Sequence, residues 1–259
     1  MIIQWSKFII CSIKILPMKP TSEIVQYSSL AVIVPAYNEE KGLARILTTL
    51  KDFPLIQEII IVDDGSTDST WSVANQYCRD DPRVKIIQHG KNQGKGQAVL
   101  TGLNESSAKN ILTLDADLFG LKPEHLYDLS TPVIENLIDM TYAVFRKGRW
   151  NTDLSHILTP WLTGQRCLKR ELFWEISWKA AAGYGLETAI TLAARRYAWR
   201  TEKIFWKGVS HPPSENHRGM VRGFYNRIRM YLHIFRAWQV ASQDAPSAKY
   251  LPFPTNRSS

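Results

Sequence analysis

ILTLDADLFG, residues 111–120, is the stretch on which the reading of this chain turns. An apolar strand-like run stops at two carboxylates, Asp115 and Asp117, with only Ala116 between them. Side chains at alternate positions of an extended chain share a face, so both carboxylates point the same way past the carboxyl end of their strand. That is where open α/β sheets bind ligands. Oxygen ligands in such small number suit Mg²⁺ or Mn²⁺, which keep free positions for water and for phosphate oxygens. Taken alone, two acids one residue apart also describe a polar loop opening after a strand, so the weight falls on what surrounds them.

The surroundings repeat the pattern. LAVIVPAYNEE (30–40) and EIIIVDDGSTDST (58–70) each join an apolar β-branched run directly to polar residues and then to an amphipathic helical segment. In KGLARILTTLKD (41–52), Leu43, Ile46, Leu47 and Leu50 stand at helical spacing. Residues 68–79 predict a second helix that starts at an Asp68 or Ser69 cap and turns Trp71, Ala74 and Tyr77 inward. VKIIQH (84–89) is a short third strand, and DMTYAVFR (139–146) another, followed by an exposed loop, KGRWNTDLSH. Alternation of strands and helices from 30 to 120 predicts a mostly parallel α/β sheet with helices on its faces. Past residue 160 the chain turns helical and aromatic, with Trp161, Phe173, Trp174 and Trp178.

Length and composition bound the rest. A chain of 259 residues with 44% hydrophobic content suits one generous α/β domain with a small appendage. Its formal charge of +8 suggests an anionic partner, which nucleotide phosphates or a lipid surface fit better than nucleic acid, although a basic balance of this size is also common on surfaces with no such role. Cys11, Cys78 and Cys167 are odd in number and widely spaced, which implies a reducing, cytoplasmic setting without a disulfide framework. The N-terminal stretch MIIQWSKFIICSIKILPMKP is interrupted by Lys7 and Lys14 and ended by Pro17, short of the roughly 18 apolar residues a spanning helix needs. It also lacks a small-residue cleavage site, so the expectation is a short interfacial or poorly ordered leader.

PAYNEE, VDDGSTDST, NQGKGQAVLTGL and LDADL, in this order and spacing, resemble the nucleotide-sugar half of glycosyltransferase family 2, whose members adopt the GT-A fold. The resemblance is strong over residues 30–120. It continues more weakly through LTGQRCLKREL (162–172), GYGLETAI (183–190) and His211. It implies a Rossmann-like GT-A domain over 29–215, between a leader at 1–28 and a helical C-terminal extension of a basic aromatic helix (216–241) and a disordered tail (242–259). The implied reaction is Mg²⁺- or Mn²⁺-dependent transfer of a hexose from a UDP or GDP sugar to a hydroxyl or phosphate acceptor, with inversion. A polyprenyl-phosphate acceptor, used peripherally at the inner face of a membrane, is one alternative. A nucleotidyltransferase or a degenerate sugar-nucleotide-binding module is another. The first of these expects a glycine-rich signature with Arg and Lys near the first strand, which PAYNEE lacks, and intact Asp115, Asp117 and Lys95 argue against the second.

The resemblance also distributes roles. Pro35, Ala36, Tyr37 and Glu39 wrap the base and ribose, with Glu39 on a ribose hydroxyl, while Asn38 caps a helix and Glu40 is a first-turn acid. Asp63 or Asp64 takes the imide N–H of a uracil, and Ser66 and Asp68 cap the helix after them. Lys95, flanked by glycines that let the backbone approach a ligand, stands beside phosphate. Asp115 and Ala116 meet the donor, and Asp115, Asp117 and His211 hold the metal, with His217 as the near alternative to His211. Arg166 and Lys169 serve the acceptor or a phosphate. Glu187 is the general base, its competing role being a helix N-terminal acid, and Asp153 is the reserve. Between 218 and 238, Arg218, Arg222, Arg227, Arg229 and Arg236 alternate with aromatics, which suits either a bilayer interface or packing on the catalytic domain.

Overall fold

The computed structural model describes residues 29–146, 163–181, 185–211 and 240. The expected leader, the basic aromatic helix except Val240, the tail, Asp153 and His217 lie outside the described residues. The chain opens with β1 (Leu30–Ala36), α1 (Glu40–Lys51), β2 (Ile56–Asp63), α2 (Thr70–Asp80), β3 (Val84–Gln88), α3 (Lys95–Glu105) and β4 (Asn110–Thr113). It continues with α4 (Pro123–Ile134), β5 (Met140–Arg146), β6 (Arg166–Lys169), a 3-10 turn (Arg170–Glu175), α5 (Leu186–Arg196) and β7 (Thr201–Lys207). Among the described residues no helix is long and apolar enough to cross a membrane.

These strands form one sheet in the order β3-β2-β1-β4-β6-β5-β7. β1 runs parallel to β2 and β4, and β2 parallel to β3, as the alternation of strands and helices predicts. β6 is antiparallel to both its neighbours, β4 and β5, and β7 returns parallel to β5. The result is the expected GT-A sheet, mixed in its second half. Strand order reverses direction at β1, from which the chain builds outward to β2 and β3 before crossing back to β4. A crevice forms at such a switch point, at the carboxyl ends of the strands.

Burial on both faces explains why the central strands read as unbroken apolar runs. Leu30 through Val34 are wholly buried. Val32 and Val34 join Ile59, Ile61, Leu112 and Trp206 on one face, under Leu43, Ile46, Leu47 and Leu50 of α1 and Leu126, Leu129 and Val133 of α4. Ala31 and Ile33 join Ile60, Val62, Ile111 and Leu168 on the other, under Val99 and Leu103 of α3 and Leu186 and Ile190 of α5. Each large apolar side chain so buried contributes about 1.5–3 kcal/mol, which makes these two layers the main source of stability. In α2, Ala74 faces this core, while Tyr77 is only partly buried and donates its hydroxyl hydrogen to the Ala44 carbonyl at 3.1 Å.

Candidate active site

The acidic loop emerges at the carboxyl edge because β4 stops early. Thr113 is aligned with Ile33, so the chain leaves the sheet while β1 still has residues to run. α1 then packs directly on the loop. A Cβ at Gly42 would lie 2.4 Å from the Ala116 carbonyl oxygen, so glycine there lets the helix seat against the backbone that carries the two aspartates. Gly164 has the same role from the other side, since a Cβ would fall 2.3 Å from Lys95 Nζ and 2.5 Å from Asp115 Oδ1.

Lys95, the first residue of α3, ties the loop to α5. Its Nζ lies 2.6 Å from Asp115 Oδ1 and 2.6 Å from Glu187 Oε1. Burial alone would lower the Lys95 ammonium, but the charges of Asp115 and Glu187 outweigh it and hold it above the ordinary lysine range. For Asp115, burial alone would raise the carboxyl. Lys95, His211 and the Gln165 amide, which donates to Asp115 Oδ2 at 2.7 Å, hold it below the usual carboxylate range instead.

His211 reaches the loop through backbone pairing. Phe119 N–H donates to the Ser210 carbonyl at 2.8 Å and Ser210 N–H to the Phe119 carbonyl at 3.1 Å, which brings the next residue to Asp117. His211 Nδ1 lies 2.9 Å from Asp117 Oδ1. Burial alone would lower this imidazole, and its hydrogen bond to Asp117 outweighs that and raises it. Asp115, Asp117 and His211 each place one ligand atom within 4.8 Å of the other two, the sole such cluster of three or more among the described residues. Two carboxylate oxygens and one imidazole nitrogen, all partly exposed, fit a divalent cation of the Mg²⁺ or Mn²⁺ kind with coordination positions left for a ligand.

Glu39 faces the same cluster. Burial, then the charges of Asp117, Asp68 and Asp115, push its carboxyl up to about 7. Its own N–H donates to Thr70 Oγ1 at 2.8 Å, which fixes the turn between β1 and α1 on the start of α2. Pro35 and Ala36 end β1 below this turn, and Tyr37 stands 46% exposed at the rim.

Asp63 and Asp64 are both buried and both engaged by protein donors. Asp63 Oδ1 accepts from Ser66 N–H at 3.0 Å and Oδ2 from Gln88 Nε2 at 2.9 Å. Asp64 accepts from Gln93 N–H at 2.9 Å and Gly94 N–H at 2.7 Å, and lies 2.7 Å from His89 Nδ1. Asp64 therefore anchors the loop that delivers Lys95.

Several expectations are corrected here. Lys169 does not join the site. It is aligned with Asn110 at the opposite edge of the sheet and its Nζ donates to Asp139 at 2.9 Å. Arg166 is aligned with Thr113 at the correct edge, but the residue is 1% exposed and its guanidinium bonds protein groups. The glycines beside Lys95 serve packing: Gly94 donates to Asp64, and a Cβ on Gly96 would lie 2.1 Å from the Ala181 carbonyl oxygen. Asn38 is no helix cap. It adopts a positive φ of 56° and its Oδ1 accepts from Thr67 N–H at 2.8 Å, joining the two loops. Ser69, one of the two expected caps, does stand at the cap position of α2, without a side-chain cap bond, and Asp68 accepts from Thr70 N–H at 3.0 Å. Gly42, Gly164, Gln165 and His89 were missed, because each is defined by a partner far away in the chain.

The family described as "Glycosyl transferase family 2" matches residues 31–208. Among curated proteins, a dolichyl-phosphate beta-glucosyltransferase of Homo sapiens is 39% identical over 99 residues, 34% of this chain and 31% of that protein. A dodecaprenyl-phosphate galacturonate synthase of Rhizobium johnstonii is 33% identical over 107 residues, 39% of this chain and 32% of that protein. The matched stretch thus spans about a third of the length of these relatives. Among solved structures, glucosyl-3-phosphoglycerate synthase from Mycobacterium tuberculosis with Mn²⁺, UDP-glucose and phosphoglyceric acid superposes with a TM-score of 0.69 at 18% identity, covering 87% of this chain and 83% of that one. The same enzyme with Mg²⁺ and UDP gives 0.68 at 19% identity, with 87% and 83% covered. At such identities the likeness is one of fold. The family match takes in β1 through β7, and with them the acidic loop, Lys95 and Glu187, so this chain belongs to glycosyl transferase family 2.

Proposed function

We propose that the protein transfers a hexose from a UDP or GDP sugar to a phosphate-bearing acceptor, with Mg²⁺ or Mn²⁺ held by Asp115, Asp117 and His211. The observation that carries this reading is the placement of that ligand cluster next to a lysine bridging Asp115 and Glu187, at the carboxyl edge of the sheet. The family match favours it over a nucleotidyltransferase or a degenerate binding module.

A bound divalent cation would neutralise charge building on the leaving diphosphate, the largest electrostatic demand of the step. Lys95 supplies a further cation at the same place, free to exchange its bonds to Asp115 and Glu187 for phosphate oxygens. Tyr37 and Glu39 line the nucleoside side, while Asp63, buried under Ser66 and Gln88, shapes the turn behind them and Asp64 holds the Lys95 loop from below. Glu187 stands on the far side of Lys95, where the acceptor enters. If the acceptor attacks through a hydroxyl, Glu187 takes its proton; a phosphate monoester attacks as an anion and needs no base.

Two relatives named for polyprenyl-phosphate chemistry favour a lipid phosphate as that acceptor, with the enzyme peripheral to the membrane. The test is a thermal-shift panel of UDP and GDP sugars with and without Mn²⁺, because a ligand that binds the native state alone raises its stability. A Mn²⁺-dependent shift with one nucleotide class is the expected outcome. No shift with any member overturns the reading.

A further inference from the structure

Arg166 Nε donates to the Thr163 carbonyl at 3.0 Å, and Nη2 to Thr191 Oγ1 at 3.1 Å and to the Glu187 carbonyl at 3.4 Å. The guanidinium carbon lies 5.6 Å from the centre of the Tyr142 ring. A guanidinium carries five donors in one rigid plane, so a single side chain holds acceptors on two separate segments. Here those segments are two walls around Lys95. Residues 163–165 press Gly164 against Lys95 and Asp115 and place the Gln165 amide on Asp115. The first turn of α5 places Glu187 on Lys95.

Burial lowers this guanidinium to about 10, so it stays charged at neutral pH. A charge placed there costs desolvation energy that its hydrogen bonds must offset. What an apolar residue cannot do is bond the Thr163 carbonyl and the start of α5 together.

We propose that Arg166 is a positioning residue for transfer: it clips the 163–165 segment to the first turn of α5 and so sets the distance between Lys95, on the diphosphate side, and Glu187, on the acceptor side. The inference rests on the reading of this cluster as the donor site. It reassigns Arg166 from acceptor contact to internal clip.

The test uses the full chain with Arg166→Met, Arg166→Lys, Thr191→Val and Thr191→Ser, assayed well below each variant's Tm. In Arg166→Met, kcat for Mn²⁺-dependent donor turnover falls about 10–100-fold while donor KM changes less than about threefold, since misplacing a group by an ångström acts on the transition state. Arg166→Lys, without the fork, recovers little of it. Thr191→Val loses part of kcat and Thr191→Ser, which keeps the hydroxyl, restores it. Amide hydrogen exchange gives a readout independent of turnover. The Ala189 N–H, bonded to the Gly185 carbonyl at 2.8 Å, exchanges faster in Arg166→Met, while β1 amides do not. Wild-type kcat in Arg166→Met, a loss in Thr191→Ser equal to that in Thr191→Val, or unchanged Ala189 exchange overturns the clip. Wild-type protein that turns over no UDP or GDP sugar overturns the donor-site reading instead, and the exchange measurement still decides whether the clip exists.

Discussion

Lys95 Nζ donates to Glu187 Oε1 at 2.6 Å across 92 residues of chain, and the same nitrogen contacts Asp115 at 2.6 Å. One ammonium therefore joins the acidic loop after β4 to the first turn of α5. It sits on Asp115 Oδ1, an oxygen of the carboxylate that the proposed cation would share. In the proposed reading, metal and lysine would compete for that carboxylate until a diphosphate took the lysine.

Lys95→Met separates those roles. Freed of its competitor, Asp115 should bind Mn²⁺ more tightly in the absence of nucleotide, while UDP or GDP binding weakens and donor turnover falls by about 10²-fold, the scale of losing one charge-stabilising donor. Calorimetric titrations with Mn²⁺ alone and with nucleotide check both signs. Weaker Mn²⁺ binding would show that Lys95 supports the cation rather than competing with it.

Asp117→Ala removes a charged ligand that is only partly buried, so the fold should survive while donor turnover drops to background. Circular dichroism and a donor-hydrolysis assay suffice. Excess EDTA should reproduce the loss in the unaltered protein, and full activity in either case would refute the metal assignment.

Glu187→Gln tests the acceptor class. With a hydroxyl acceptor, loss of the proton-accepting group should cost about 10²-fold or more in transfer. With a phosphate monoester, whose second ionisation lies near 6, the cost should stay under about tenfold. Comparing an alcohol with a polyprenyl phosphate as acceptors reads the difference, and equal losses with both would tie Glu187 to the donor or to Lys95.

Asp139 links stability to pH. It accepts from Lys169 Nζ at 2.9 Å, Arg200 Nη2 at 2.7 Å and Arg200 N–H at 2.9 Å. Hydrogen bonds from Arg200 first, and from Lys169, hold its carboxyl well below the usual range. A depressed carboxylate contributes stability above its unfolded pKa of about 3.9 and loses it as pH falls toward the folded value. Asp139→Asn should lower Tm by about 2–4 °C at pH 7. The gap from the unaltered protein should close below pH of about 4. A gap independent of pH would mean the cost is one of packing.

Gly42→Ala drives a Cβ to within 2.4 Å of the Ala116 carbonyl oxygen, and backbone on both sides leaves little room to give. A destabilisation of about 1–3 kcal/mol is expected from the overpacking. Because the displaced backbone carries Asp115 and Asp117, the Mn²⁺-dependent rise in Tm should shrink as well. A stability loss with the full Mn²⁺ response retained would place the strain elsewhere.

The sequence by itself determined β1, β2 and the helix between them, because a strand buried on both faces is an apolar run and a helix buried on one is a 3.6-residue pattern, both local. It also determined that Asp115 and Asp117 follow a strand, although β4 stops at Thr113 and the two acids stand on the loop and turn beyond it rather than on extended chain. The tertiary structure alone decided which distant groups meet them. Arg166 and Lys169 stand three residues apart in RCLK, about 10 Å along a strand. Whether one, both or neither reaches the site depends on the direction in which that strand pairs. β6 runs antiparallel to β4, which puts Arg166 at the acidic edge, turned inward, and sends Lys169 to Asp139 at the far edge. His211 arrives through the pairing of Ser210 with Phe119, and Glu187 through the packing of α5 on the same face of the sheet as α3. Such contacts join residues from 30 to 92 apart, over which no periodicity extends, so they are fixed by how the elements pack and not by any pattern within them.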